Sequence, residues 1–211
     1  MTELVFDCVD AVPDRFAAAP TMQFRLRIAE TTGQRVHAMA LRCQLRIEPA
    51  RRRYSPEEVE NLRDLFGPTS RYADTLNPIQ FAQTSTMVPG FSGSIEIDLP
   101  VTCTYDLEVS ATKYFHGLDD GQIPLLLLFS GTVFNRGDTG LSVEQVPWHK
   151  ECAYRLPVEV WDALIDAYFP NSGWIRLHRD TLDALMRYKT DRALPTWEHA
   201  FETLLKQAGE G

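Results

Sequence analysis

Hydrophobic positions along the chain follow two rhythms, period two up to about residue 156 and a helical period after it. The most apolar run is Ile123–Phe134, bounded by turn-forming residues at Gly117–Gly121 and Asn135–Gly140. A short continuous apolar run between turns predicts a strand buried on both faces. Such a strand needs other elements over each side, which implies a layered domain. Leu4–Val12 predicts an opening strand. In Met22–Glu48, Phe24, Leu26 and Ile28 alternate with Arg25 and Arg27, and after Thr31–Gly33 the residues Met39, Leu41, Cys43, Leu45 and Ile47 alternate with Arg42, Gln44 and Arg46. This predicts a hairpin with one wet face. Further alternation spans Ser94–Leu99 and Val101–Ala111, where Cys103, Tyr105, Leu107 and Val109 oppose Thr102, Thr104, Asp106 and Glu108. Leu141–Leu156 predicts one more strand.

Helix grammar appears in two places. Ser55, Pro56 and Glu58 form a capping-box signature that predicts a helix at 55–66, stopped by Gly67 and Pro68. From Pro157 onward, Val160, Trp161, Leu164, Ile165 and Tyr168 share one helix face. A strand-like link follows at Trp174–Leu177, then a helix capped by Asp180 and a last helix from about Pro195. Thr69–Ser94 is polar and irregular, with Ile79–Val88 as a candidate strand. The fold expected is α+β: a mostly antiparallel β-sandwich of roughly seven to nine strands, one inserted helix and a C-terminal helical cap. Residues 1–156 would form the sandwich and 157–211 the cap packed on it, as one cooperative domain.

Composition narrows the function classes. The chain has 211 residues, is 44% hydrophobic and carries a formal net charge of -8. That charge argues against nucleic-acid binding, which requires a basic footprint. The longest apolar run falls short of the roughly 20 residues that span a bilayer. Glu3, Asp7 and Asp10 occupy the start where a signal peptide would be basic and then apolar, and four cysteines are scattered singly. A cytoplasmic protein with reduced thiols is expected.

Candidate chemistry is sparse. Gly90–Ser94 fails the nucleophile-elbow register because Ser94 stands where a glycine belongs. There is no phosphate-cradling glycine loop. His149 with Cys152, joined by His116 or Cys103, is the best metal grouping, yet it lacks the paired spacing of zinc sites. Cys43 and Cys103 fall in phase with apolar neighbours and read as core thiols. The tripeptide Arg136–Asp138 reads as a turn, and Trp161, Trp174 and Trp197 read as packing between sandwich and cap. No catalytic, cofactor-binding or metal residue is expected, and no cofactor.

The remaining feature is basic. Arg25, Arg27, Arg42 and Arg46 alternate outward in an acidic chain, with Arg51–Arg53 just beyond. Cross-strand pairing with Glu96, Asp98, Asp106 and Glu108 is the default account of this pattern. A docking face for an acidic protein partner is the alternative.

Two family resemblances add context. Phe24–Ile28, Val36–Glu48, Ile123–Gly131 and Trp174–His178 make the chain similar, over nearly its whole length, to an uncharacterised family of actinobacterial proteins encoded near NiFe-hydrogenase genes. That resemblance implies a hydrogenase-associated setting and brings no catalytic residues. Tyr168–Leu177 followed by Asp180–Leu185 resembles the turn, strand and helix of the SecB export chaperones. The chain departs from that pattern in its early hairpin, its helix at 55–66 and its helix after Pro195. The expected function is a non-enzymatic interaction or assembly accessory protein, with hydrogenase subunits or maturation factors as partners and a homo-oligomer compatible with the sequence. A SecB-like binder of unfolded chains is one alternative. An enzyme with a site assembled from dispersed residues and Thr69–Ser94 as lid is the other.

Overall fold

The computed structural model describes residues 2–104, 106, 109–137, 140–170, 172 and 175–209. Eight strands lie among them: β1 (Leu4–Pro13), β2 (Thr21–Glu30), β3 (Arg35–Ile47), β4 (Ile79–Ser92), β5 (Ser94–Thr102), β6 (Gln122–Gly137), β7 (Gly140–Gln145) and β8 (Glu151–Pro157). Between and after them come α1 (Pro56–Asn61), α2 (Arg63–Phe66), α3 (Tyr72–Thr75), α4 (Ser110–His116), α5 (Val158–Tyr168), α6 (Arg179–Asp191) and α7 (Trp197–Ala208). The architecture is α+β, with every strand pair antiparallel.

One sheet has the order β1-β2-β5, the other β4-β3-β6-β7 with β8 also paired to β6. β6 is the hub. Along one side it pairs with β3, and along the other its first half pairs with β8 and its second with β7. It is buried on both faces only as far as Leu127, because Ser130 is exposed and Thr132 is half-buried.

β2 and β3 do not form the expected hairpin. They belong to different sheets, so the segment Thr31–Gln34 crosses between layers. The apolar faces of these strands look at each other through the core: Phe24, Leu26, Ile28, Leu41, Cys43 and Leu45 are all buried in it. Alternation with one dry face is identical for a hairpin and for such an arch, so period alone does not separate them. Phe6 stacked on Phe129, with ring centroids 4.3 Å apart, joins the sheets at mid-core.

The 55–66 helix is present with both halves of its capping box, but it breaks at Leu62 into α1 and α2. Thr69–Ser94 is more regular than expected. From Ile79 to Ser92 it is a continuous strand paired with β3. The expected strand Val101–Ala111 stops at Thr102, and Ser110 starts α4, which buries Tyr114 and Phe115. Tyr105, Leu107 and Glu108 of that expectation lie outside the described residues, as do Asp138 and Trp174.

The chain divides into two compact units, Met1–Trp174 and Ile175–Gly211. α5 belongs to the first, where it packs on β1 and β8 and buries Trp161 and Leu164, with the Trp161 ring centroid 4.6 Å from that of Phe115. Tyr168 at its end donates its hydroxyl to the carbonyls of Asp14 and Ala17, at 2.8 and 2.7 Å. The second unit is the pair α6 and α7. Thr196 caps α7 by accepting from the His199 amide, and Lys189 lies 5.8 Å from the Trp197 ring centroid. Ala200 is its one buried residue among those described.

Candidate functional site

The structure divides the four arginines between two opposite surfaces. Arg25 and Arg27 point outward from the three-stranded sheet, and Arg42 and Arg46 from the five-stranded one. On the first surface the register settles the charges. Arg25 stands opposite Asp98 on β5 and Asp10 on β1, and Arg27 opposite Glu96 and Asp7. Arg25 Nε donates to Asp98 at 3.2 Å, and Arg27 Nη2 to Glu96 at 2.7 Å. Asp106 lies beyond the end of β5, so it is not on this ladder. On the second surface Arg46 donates to Glu48 at 2.7 Å. Arg42 forms no ion pair among the described residues.

Arg42 lies at an open depression of about 590 Å³ on the outer face of β4, β3, β6 and β7. The register builds this site rung by rung. Arg42 has Ser85 on one side and Ser130 on the other, and the next rung is Met87, Ala40, Thr132 and Gln145. Directly opposed side chains in such a ladder have Cβ atoms about 4.5–5.5 Å apart, so both serines flank Arg42 and line the same depression. Ala40 and Gly131 leave the floor low. A Cβ on Gly131 would stand 2.1 Å from the Ala40 carbonyl oxygen, so only glycine allows β6 to approach β3 here. Gln145 Nε2 donates to Thr132 Oγ1 at 3.2 Å and holds the far wall. Arg42 is the only charged residue among the described residues lining the depression, in a chain of net charge -8.

Other titratable groups serve the interior. Burial pushes the thiols of Cys8 and Cys103 up to about 12 and Cys152 to about 11, and raises Cys43 as well. Thiols held protonated in this way are poor nucleophiles and poor ligands. Among the described residues no three His, Cys, Asp or Glu side chains are placed to hold a metal ion. Arg52, from the run Arg51–Arg53, pairs with Glu58, and the two side chains are only 9% and 4% exposed. Arg52 also donates to the Gln122 carbonyl at 2.9 Å, tying the capping box to the start of β6. Beside it the hydroxyls of Tyr54 and Tyr114 lie 3.0 Å apart, and burial raises both, Tyr114 to about 12. Glu58 as a buried partner was not legible in the sequence, because its spacing from Ser55 already accounted for it as a cap.

Among the described residues no helix is long and apolar enough to cross a membrane. Over residues 1–211 the chain matches the family of unknown function DUF6084, and it belongs to that family. No curated protein matches it. Among solved structures, a putative late embryogenesis abundant protein is similar at 15% identity and a TM-score of 0.32, over 74% of this chain and 72% of that one. A β-glucosidase from Kluyveromyces marxianus is similar at 8% identity and a TM-score of 0.25, over 73% of this chain and 15% of the enzyme. β-Glucosidase 3B from Thermotoga neapolitana is similar at 12% identity and a TM-score of 0.26, over 73% of this chain and 17% of the enzyme. Likenesses of this size assign neither activity nor ligand to the chain.

Proposed function

We propose that this DUF6084 member is a non-enzymatic interaction or assembly protein that docks a protein partner on the outer face of its five-stranded sheet. One observation carries the reading. Of the four outward arginines, Arg42 alone has no carboxylate partner among the described residues, and it lies in a depression whose other described lining residues are uncharged. A cation left without a partner on a shaped surface is a recognition element, whereas paired surface arginines contribute little beyond local order.

The resemblance to proteins encoded beside NiFe-hydrogenase genes directs the search for the partner to hydrogenase subunits and maturation factors in the cytoplasm. The test is affinity purification of the tagged protein from its native host without oxygen, followed by mass spectrometry. Stoichiometric recovery of one such partner, lost on Arg42→Glu and kept on Arg25→Glu, is the expected result. Recovery of no protein overturns the reading. A chaperone-like reading draws on Leu182, Met186, Trp197 and Leu205, which are exposed on α6 and α7. A spread of unrelated unfolded chains in the eluate would favour it instead.

A further inference from the structure

We infer that the depression over Arg42 seats a carboxylate on an extended acidic segment of the partner, with an apolar side chain of that segment lying toward Met87 and Val143. The inference rests on the interaction reading and names the chemistry the site selects.

Three features of the face lead to it. The first is charge and donor count. The Arg42 guanidinium offers a planar fork, and Ser85 and Ser130, its neighbours on the same rung and in the lining of the same depression, each carry a hydroxyl donor. A fork with flanking hydroxyls satisfies the two oxygens of one carboxylate, and Arg–carboxylate pairs are bidentate where geometry allows. A phosphate carries close to two negative charges. A single guanidinium would leave it in excess over a chain of net charge -8.

The second is gradient. Moving along β3 from Arg42 to Ala38, the rungs change from polar to apolar. Ser85 and Ser130 give way to Met87 and Thr132, then to Phe134 and Val143. Met87 is 62% exposed and Val143 is 54% exposed, so the apolar end is open to a ligand.

The third is spacing. Each rung advances two residues, about 6.8 Å in an antiparallel strand. An extended peptide lying along β3 repeats its facing side chains at the same interval. An acidic residue over Arg42 therefore places the residues two and four positions away over the Met87 and Val143 rungs. The motif selected is an acid followed, at alternate positions, by apolar residues.

The test uses the full chain, isotope-labelled for NMR, with short end-blocked peptides in which one glutamate is followed by valine two and four positions on, with serine between them. Their glutamine and valine counterparts and sodium acetate serve as comparison probes. The expected result is amide shifts confined to residues 38–42, 85–89, 130–134 and 142–145 with the glutamate peptide. Affinity should be weaker by about tenfold or more for the glutamine peptide and for Arg42→Lys, which keeps the charge but loses the fork. Arg42→Ala should abolish the shifts while leaving the rest of the spectrum unchanged. Equal binding of the glutamine peptide overturns the inference, as does retained binding by Arg42→Ala. Acetate binding as tightly as the glutamate peptide also overturns it, since the site then takes small anions without a segment. The two readings fail separately. A partner recovered equally well by Arg42→Glu keeps an interaction role for the protein, moves the docking surface elsewhere and removes this inference. An acidic peptide seated on Arg42 with no partner recovered from the host does the reverse.

Discussion

The two outer faces of the sandwich carry the same decoration on one strand each, outward basic residues alternating with inward apolar ones, and they come to opposite ends. On the three-stranded sheet β2 lies between two acidic neighbours. Asp7 and Asp10 flank it on one side and Glu96 and Asp98 on the other. The arginines there complete a ladder of alternating charge that needs nothing from outside. On the five-stranded sheet the residues facing outward beside β3 on β4 and β6 carry no charge, so among the described residues Arg42 has no carboxylate neighbour on its ladder. An exposed arginine is informative only once its cross-strand neighbours are known.

Several substitutions would break or sharpen that contrast. The largest effect should come from the interior that both faces share. Phe129→Ala removes the ring stacked on Phe6 and should lower unfolding stability by about 3–5 kcal/mol in urea titration. A change of under 1 kcal/mol would show that the two sheets do not depend on that contact. Gly131→Ala acts on one face alone. Its methyl group meets the Ala40 carbonyl, so β3 and β6 must separate, at about 1–3 kcal/mol, with NMR shifts confined to the depression.

Arg42→Glu should leave stability within about 0.5 kcal/mol and remove partner recovery. Retained recovery would place the docking surface elsewhere. Arg27→Glu should do the opposite, keeping the partner while setting a third carboxylate beside Glu96 and Asp7. Its cost should be about 0.2–1 kcal/mol and should shrink as salt is added. The smallest change is expected in the common core. Near pH 8, Cys8, Cys103 and Cys152 stay protonated, with values raised to about 12, 12 and 11 by burial. Iodoacetamide should therefore label the folded chain slowly at all three and label it fully in denaturant. Rapid labelling of Cys8 in the folded protein would contradict its burial.

The legible parts of the fold were those governed by local chemistry. Ser55, Pro56 and Glu58 set the start of α1, because a cap is satisfied within one turn. The run from Ile123 announced the central strand, because a strand covered on both sides must be apolar at every position up to Leu127. β4 was faint for the converse reason. It is partly wet on both faces, so Gln80, Gln83, Thr84 and Ser85 carry no clear alternation. The helix α4 was masked by a period-two pattern running through Val109, where burial of Tyr114 and Phe115 prevailed over the local rhythm.

The amino-acid order by itself determined which positions face inward, since strand period and apolar pattern are properties of a single segment. It also determined where α1 begins, and that four arginines point outward. The tertiary structure alone decided which strands lie side by side. That choice sends β2 and β3 to different sheets, sets acids beside Arg25 and Arg27, and sets hydroxyls beside Arg42. The physical reason is that a cross-strand neighbour comes from a distant part of the chain. A pairing register, unlike a period, has no signature within either strand.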